Sequence, residues 1–186
     1  TNKDKNMLYD PRKMFKTQLA KDYMELTKFK LSLLNSVGSF TMFYFHAPLI
    51  GIGAFNSLAF FFATQTIAMS SQAFGQVVEA DMDAKMGRTA NRPMAKGRIS
   101  AKAGCMVGTG LFVSSIAAYH VFVPFTWIVS SSVWFMYLCV YLPMKQKSEY
   151  NTLMGAVVGA IPPFIGTFAQ TGVIFDVPTM LLSAYI

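Results

Sequence analysis

The chain has 186 residues, of which 53% are hydrophobic and only 13% charged. A soluble domain carries roughly a quarter charged residues, so this composition excludes an ordinary soluble fold, and its apolar content excludes a disordered chain. The formal net charge is +7, which suits nucleic acid, anionic lipid or a phosphorylated ligand until the positions of the charges are considered. Two cysteines, Cys105 and Cys139, make neither a disulfide framework nor a zinc site and are expected to be small core residues.

Residues 1–30 are polar, with eight Lys/Arg and four Asp/Glu, and read as an extramembrane arm ending in a short amphipathic helix. Residues 31–186 read as a transmembrane domain. Its apolar stretches run over about 31–49, 52–78, 101–121, 125–142 and 153–171, and a sixth begins near 177. A crossing needs about 20 apolar residues. The expectation is therefore an all-α, polytopic transmembrane helix bundle with about five complete spans and the start of a sixth. Barrel strands would alternate polar and apolar residues over about ten positions, and these runs are longer and do not alternate.

Several residues carry local expectations. Pro48 and Gly51–Gly53 separate the first two spans, and Val123-Pro124 separates the third and fourth. Pro162-Pro163 should kink the fifth span, and Gly155 and Gly159 should let helices approach closely. Phe60–Phe62 reads as lipid-facing, and Trp127 and Trp134 as interface or packing residues. His46 and His120 sit at helix ends and suit interfacial hydrogen bonds, with heme-iron ligation as the alternative.

The cations discriminate between partners. All 16 Lys/Arg fall in three segments: eight in 1–30, six in 80–102 and two in 143–150. With five crossings, these segments share one side of the membrane, as the positive-inside rule requires. That side should be the mitochondrial matrix or the bacterial cytoplasm. A nucleic-acid domain would instead line an exposed groove with its cations.

The segment after the second apolar stretch holds the candidate chemistry. Glu79 and Asp83 are four residues apart, so a helix puts them on one face. Two such carboxylates can hold Mg²⁺, which usually takes one or two carboxylates with waters and substrate phosphates. Asp81 points elsewhere and could play a supporting part. Arg88, Arg92, Lys96 and Arg98 follow, and guanidinium groups grip phosphate oxygens in pairs. The pattern suits a diphosphate at a membrane surface, although acids and bases at a helix end also serve as plain solvated charge.

This stretch resembles the first motif of the protoheme IX farnesyltransferase (heme O synthase) family, UbiA-like intramembrane prenyltransferases. That motif has an Asn, then two acids at four-residue steps, then Met and Arg-Thr-x-x-Arg-Pro. Here Glu79, Asp83, Met86, Arg88-Thr89, Asn91-Arg92-Pro93, Lys96-Gly97 and Ile99-Ser100 match in order. Glu at the first acid position resembles the mitochondrial branch. A second block also matches: Tyr141, Pro143, Lys145, Lys147-Ser148, Asn151-Thr152, Gly155-Ala156, Gly159-Ala160, Pro162-Pro163 and Gly166. Leu26-Thr27-Lys28 resembles the start of the family's first helix. Two departures stand out. The family's Asn falls at Gly75, and its second acid-containing motif would begin just past residue 186.

The resemblance implies transfer of a farnesyl group from farnesyl diphosphate to a vinyl group of protoheme IX. The product, heme O, precedes heme A of cytochrome c oxidase. Glu79 and Asp83 would hold Mg²⁺, and Arg88, Arg92, Lys145 and Lys147, with Lys96 and Arg98 beside them, would meet diphosphate or heme propionates. The expected setting is the mitochondrial inner membrane with the basic loops in the matrix, or a bacterial plasma membrane. Expected partners are the lipid bilayer, the two substrates, and possible neighbours in a respiratory complex. The departures leave three expectations: an N-terminal portion of the enzyme, a bundle completed by a second chain, or a catalytically inactive homologue serving as a structural membrane subunit.

Overall fold

The computed structural model describes residues 11–47, 53–147 and 149–185, with side chains from Thr17 onward except at 146 and 147. Pro48, Gly51 and the first ten residues of the arm therefore lie outside the described residues. Every regular element among those described is helical. The arm contributes α1 (Pro11–Leu26), followed by α2 (Phe29–Phe45) and the long α3 (Ala54–Lys85). A turn-rich segment leads to α4 (Ala101–Phe122), whose first turn is capped by Ser100 accepting from the Ala103 amide at 3.2 Å. Then come α5 (Thr126–Met136), a π-helical turn (Tyr137–Tyr141) and α6 (Leu142–Lys147), which form one continuous rod. Two half-spans, α7 (Asn151–Ala160) and α8 (Pro162–Thr171), meet at Ile161, and α9 (Val177–Tyr185) follows. The break at Ile161 is the expected proline kink.

Three of these rods are long and apolar enough to cross a membrane: Ala101–Phe122, Thr126–Lys145 and Asn151–Thr171. Only 17%, 11% and 33% of their most apolar stretches are buried within the chain, so their greasy side chains face outward. Phe62, Met106, Val113, Val121, Phe135 and Leu153 are all exposed. In water such a surface would be a liability; in a bilayer it is the solvated face. The chain is an integral membrane protein. The 17-residue α2 and the 32-residue α3 complete the bundle.

The interior is unusually polar and small. On α2, Ser32, Ser36 and Ser39 are fully buried in one stripe. Ser36 Oγ returns its proton to the Ser32 carbonyl at 2.9 Å, and Ser39 Oγ donates to the Pro162 carbonyl at 2.6 Å. Small residues that satisfy their own hydroxyls let backbones approach without stranding a polar group in lipid. Ser70 and Ser115 do the same between α3 and α4, donating to the Gly108 and Ala63 carbonyls at 2.8 and 2.7 Å. An apolar core of Phe43, Phe60, Ile67, Tyr119 and Ile165 fills the space between α2, α3, α4 and α8.

Several sequence expectations need correction. Phe60 is not lipid-facing: it is fully buried and stacked on Phe43 with ring centroids 4.3 Å apart. Three consecutive helical residues spread over some 200° and cannot share a face; only Phe62 of the three points outward. Cys139 is exposed and Cys105 half-buried, so neither is a core residue; both sit on lipid-facing rods. Gly159 has open space where a Cβ would stand, so it mediates no close helix contact, whereas Gly155 packs on the Tyr141 ring. Trp134 packs against the core and Trp127 stays at its edge, partly exposed. His46 bonds to Asp176 at 2.8 Å, tying the end of α2 to the turn before α9, and His120 is exposed.

Candidate functional site

The last two turns of α3 carry Glu79 and Asp83, each only 5% exposed. Burying two carboxylates is costly unless each is paired and hydrogen-bonded. Arg92 does most of this: its Nη1 lies 2.6 Å from Asp83 Oδ2 and 3.8 Å from Glu79 Oε2. Lys145 reaches across from α6 and places Nζ 2.7 Å from Glu79 Oε1.

The segment 86–100 is not a free loop. Thr89 Oγ1 donates to the Asp83 carbonyl at 3.1 Å, and the Arg98 amide donates to the Pro93 carbonyl at 2.9 Å. Met94 and Ile99 bury themselves with Leu26 of α1, and Arg98 Nε bonds Asp22 Oδ2 at 3.0 Å. Gln76 Nε2 adds a further tie from α3 to the Glu25 carbonyl at 2.6 Å. These ties fix the backbone at Arg92 and so aim its guanidinium at the acids.

Lys28 joins the same cluster from the junction of α1 and α2. Its backbone is left-handed, φ 43°, an uncommon conformation for a side chain of this kind. Thr27 Oγ1 donates to the Tyr23 carbonyl and Ser32 Oγ to the Thr27 carbonyl, both at 3.0 Å, which holds this turn between them. Three cations therefore surround two carboxylates at one end of the bundle. Below them lies a cavity of about 300 Å³, lined at its charged end by Lys28 and Lys145 and farther in by Ile67, Trp134, Val158 and Ile165. A polar head with an apolar tail suits this shape.

Residues 36–186 match the UbiA prenyltransferase family. The chain belongs to that family. Among curated relatives, the protoheme IX farnesyltransferase of Listeria monocytogenes is 34% identical over 169 residues, covering 87% of this chain and 55% of that protein. That of Rhodopirellula baltica is 38% identical over 122 residues, covering 64% and 42%. That of Christiangramia forsetii is 29% identical over 151 residues, covering 81% and 50%. The chain thus spans about half the length of the curated relatives it matches. No solved structure matches it.

In this UbiA-family chain the site residues expected from sequence divide sharply. Glu79, Asp83, Arg92 and Lys145 come together. Asp81 is exposed, since two residues along a helix turn it some 200° from Glu79. Arg88 and Lys96 are exposed and turned away from the acids, and Arg98 is engaged with Asp22. The Lys147 side chain lies outside the described residues. Sequence reasoning missed Lys28 as a member of the cluster. It is one of eight cations in the arm, and only its place beside Thr27 in the family-like start of α2 set it apart.

Lys28 supplies a pH-dependent prediction. Burial, together with the neighbouring Arg92 and Lys145, pushes its ammonium below the ordinary lysine range, against the pull of Glu79 and Asp83. An anion bound here favours the protonated form. Affinity for a diphosphate should thus be full below the lowered lysine pKa and fall as pH rises through it. Titrating inorganic diphosphate against the purified protein across alkaline pH checks this. Lys28→Arg should flatten the alkaline decline, and an unchanged decline would place the titrating group elsewhere.

Proposed function

We propose that this chain forms the diphosphate-binding part of an intramembrane prenyltransferase. It would transfer the farnesyl group of farnesyl diphosphate to a vinyl carbon of protoheme IX. One observation carries the reading: Glu79, Asp83 and Arg92 pair up beside Lys145 and Lys28, the two cations that line one end of the cavity. The names of the relatives supply farnesyl and heme. They lend no support to the inactive structural subunit.

In the reaction, the bond between farnesyl C1 and the diphosphate oxygen breaks and its electron pair stays on oxygen. Negative charge accumulates on the leaving diphosphate. Arg92, Lys145 and Lys28 are fixed where that charge grows, so they favour the transition state over the bound substrate. The allylic cation left behind is attacked by the terminal carbon of the heme vinyl group, forming the new carbon–carbon bond; the positive charge passes to the vinyl carbon next to the porphyrin, where a water molecule adds and releases a proton, so the product carries a hydroxyl there. Until the carbon–carbon bond forms, water has to be kept from C1, and the apolar part of the cavity wall, at Ile67, Val133 and Ile165, suits that task.

The donor set suits Mg²⁺ bound together with the diphosphate. Glu79 and Asp83 are one helical turn apart on one face, and a pair of carboxylates is the share of the ligands that Mg²⁺ usually takes from protein, the rest coming from waters and substrate phosphates. When bound there, Mg²⁺ adds positive charge beside the leaving group. The basic end faces the mitochondrial matrix or the bacterial cytoplasm on the positive-inside rule, and the mitochondrial inner membrane is the setting favoured by Glu79.

The test is direct. Protein in detergent is incubated with farnesyl diphosphate, Mg²⁺ and heme, and heme O is sought by mass. Glu79→Gln and Asp83→Asn should each lower turnover by about 10²-fold or more. Undiminished product from the double variant would remove the acids from the site.

A further inference from the structure

Gly75, Glu79 and Asp83 stand at four-residue steps along the buried face of α3. Two of the steps end in carboxylates, and the third has no side chain. The space beside it is not empty. A Cβ on Gly75 would lie 3.1 Å from the Tyr137 hydroxyl oxygen and 3.5 Å from Tyr137 Cε1. Tyr137 comes from the π-helical turn of the rod opposite. Its hydroxyl thus stands at the Gly75 step, in line with the two carboxylates.

The position of that hydroxyl is informative. Gly75 lies about 6 Å farther into the bundle than Glu79, at 1.5 Å per residue. Tyr137 lines the cavity, as does Lys145 two turns along the same rod. With the diphosphate held by Arg92, Lys145 and Lys28 and the prenyl chain in the apolar interior, the junction between them falls at this depth. The hydroxyl is only loosely engaged. Its contact with Gln72 Oε1 is 3.4 Å, longer than a good O–H···O hydrogen bond. Its proton is therefore available to a better acceptor. The π-helical turn, a feature often found at functional sites, brings Tyr137 and Tyr141 to the same wall with ring centroids 5.3 Å apart.

We propose that Tyr137 is a substrate-contacting residue whose hydroxyl takes the place of a side chain at position 75 and donates a hydrogen bond to the ester oxygen of the allylic diphosphate. The inference rests on the farnesyl diphosphate reading above. No proton is transferred: the bond strengthens as the C1–O electron pair collapses onto that oxygen, and relaxes when diphosphate leaves. Gly75 leaves room for the phenol, since a Cβ there would crowd its hydroxyl at 3.1 Å and push it aside by a few tenths of an ångström.

The experiment compares wild type, Tyr137→Phe, Gly75→Ala and the double variant Gly75→Ala with Tyr137→Phe, each first checked by thermal unfolding in detergent. Tyr137→Phe should lower kcat by about tenfold while KM moves by about twofold or less, the signature of a contact made mainly in the transition state. Gly75→Ala should lower kcat through displacement of the hydroxyl. Adding Gly75→Ala to Tyr137→Phe should cost little beyond Tyr137→Phe alone, since the hydroxyl that the new Cβ crowds is already gone. An unchanged kcat in Tyr137→Phe, with Glu79→Gln inactive, overturns this inference and leaves the proposed function standing. Loss of melting temperature in parallel with kcat, with the two substitutions simply additive in kcat, also overturns it, because the phenol would then be packing alone. Wild type that neither binds nor consumes farnesyl diphosphate overturns the function and this inference together.

Discussion

Arg92→Leu should be the most damaging single charge substitution in the chain. It leaves Asp83 without its 2.6 Å partner and Glu79 with only Lys145, while both acids stay buried. Breaking a buried pair by removing one member costs roughly 3–5 kcal/mol, because the remaining charge is stranded. Farnesyl diphosphate affinity should fall at the same time. The two effects can be separated. In an Asp83→Asn background the stability cost of Arg92→Leu should shrink, since the stranded charge is gone, whereas the loss of affinity should persist. Arg92→Lys should recover part of the stability and little of the affinity, because an ammonium can pair with Asp83 but lacks the planar fork that meets phosphate oxygens in pairs. Thermal unfolding in detergent and ligand titration read the two quantities. An Arg92→Leu protein that melts with wild type would show that the acids are not held by this guanidinium.

The second large effect is expected at a residue with no side chain. A Cβ on Gly166 would overlap the carbonyl of Ser39 and stand 2.8 Å from the Phe43 amide nitrogen, both on the backbone of α2. Backbone cannot swing aside as a side chain can, so α2 and α8 must separate. Gly166→Ala should destabilise by about 3 kcal/mol, at the upper end of overpacking costs. It should also break the Ser39 to Pro162 hydrogen bond and widen the cavity that both helices border. Gly159→Ala is the internal control. Nothing stands within 4 Å of its Cβ, and alanine is the better helix former by about 1 kcal/mol. Equal melting temperatures for the two alanine variants would contradict the packing described.

The two glycines also mark what a single sequence conveys. Gly155, Gly159 and Gly166 look alike in the sequence, and only the crossing of α8 over α2 decides which one is needed. The bundle itself was legible because long apolar runs have few structural solutions in lipid. Glu79 and Asp83 were legible together because helical periodicity fixes their shared face. Beyond Lys85 that periodicity ends. Arg88, Arg92, Lys96 and Arg98 then became a set of equal candidates, from which the ties through Thr89, Met94, Ile99 and Asp22 select Arg92. Lys28 and Tyr137 escaped for a related reason. Each reaches the acids from a distant part of the chain, and no local pattern announces such a meeting.

The double proline at 162–163 has an effect beyond the bend it makes. Neither residue has an amide hydrogen, so the carbonyls of Val158 and Gly159 lose the donors that an unbroken helix would supply. Both residues border the cavity. Its wall therefore gains two carbonyls without helical donors, beside the polar side chains of Asn35, Gln72 and Ser130 that also line it. Such dipoles attract positive charge without offering a nucleophile strong enough to trap it, which would suit the allylic cation of the proposed reaction.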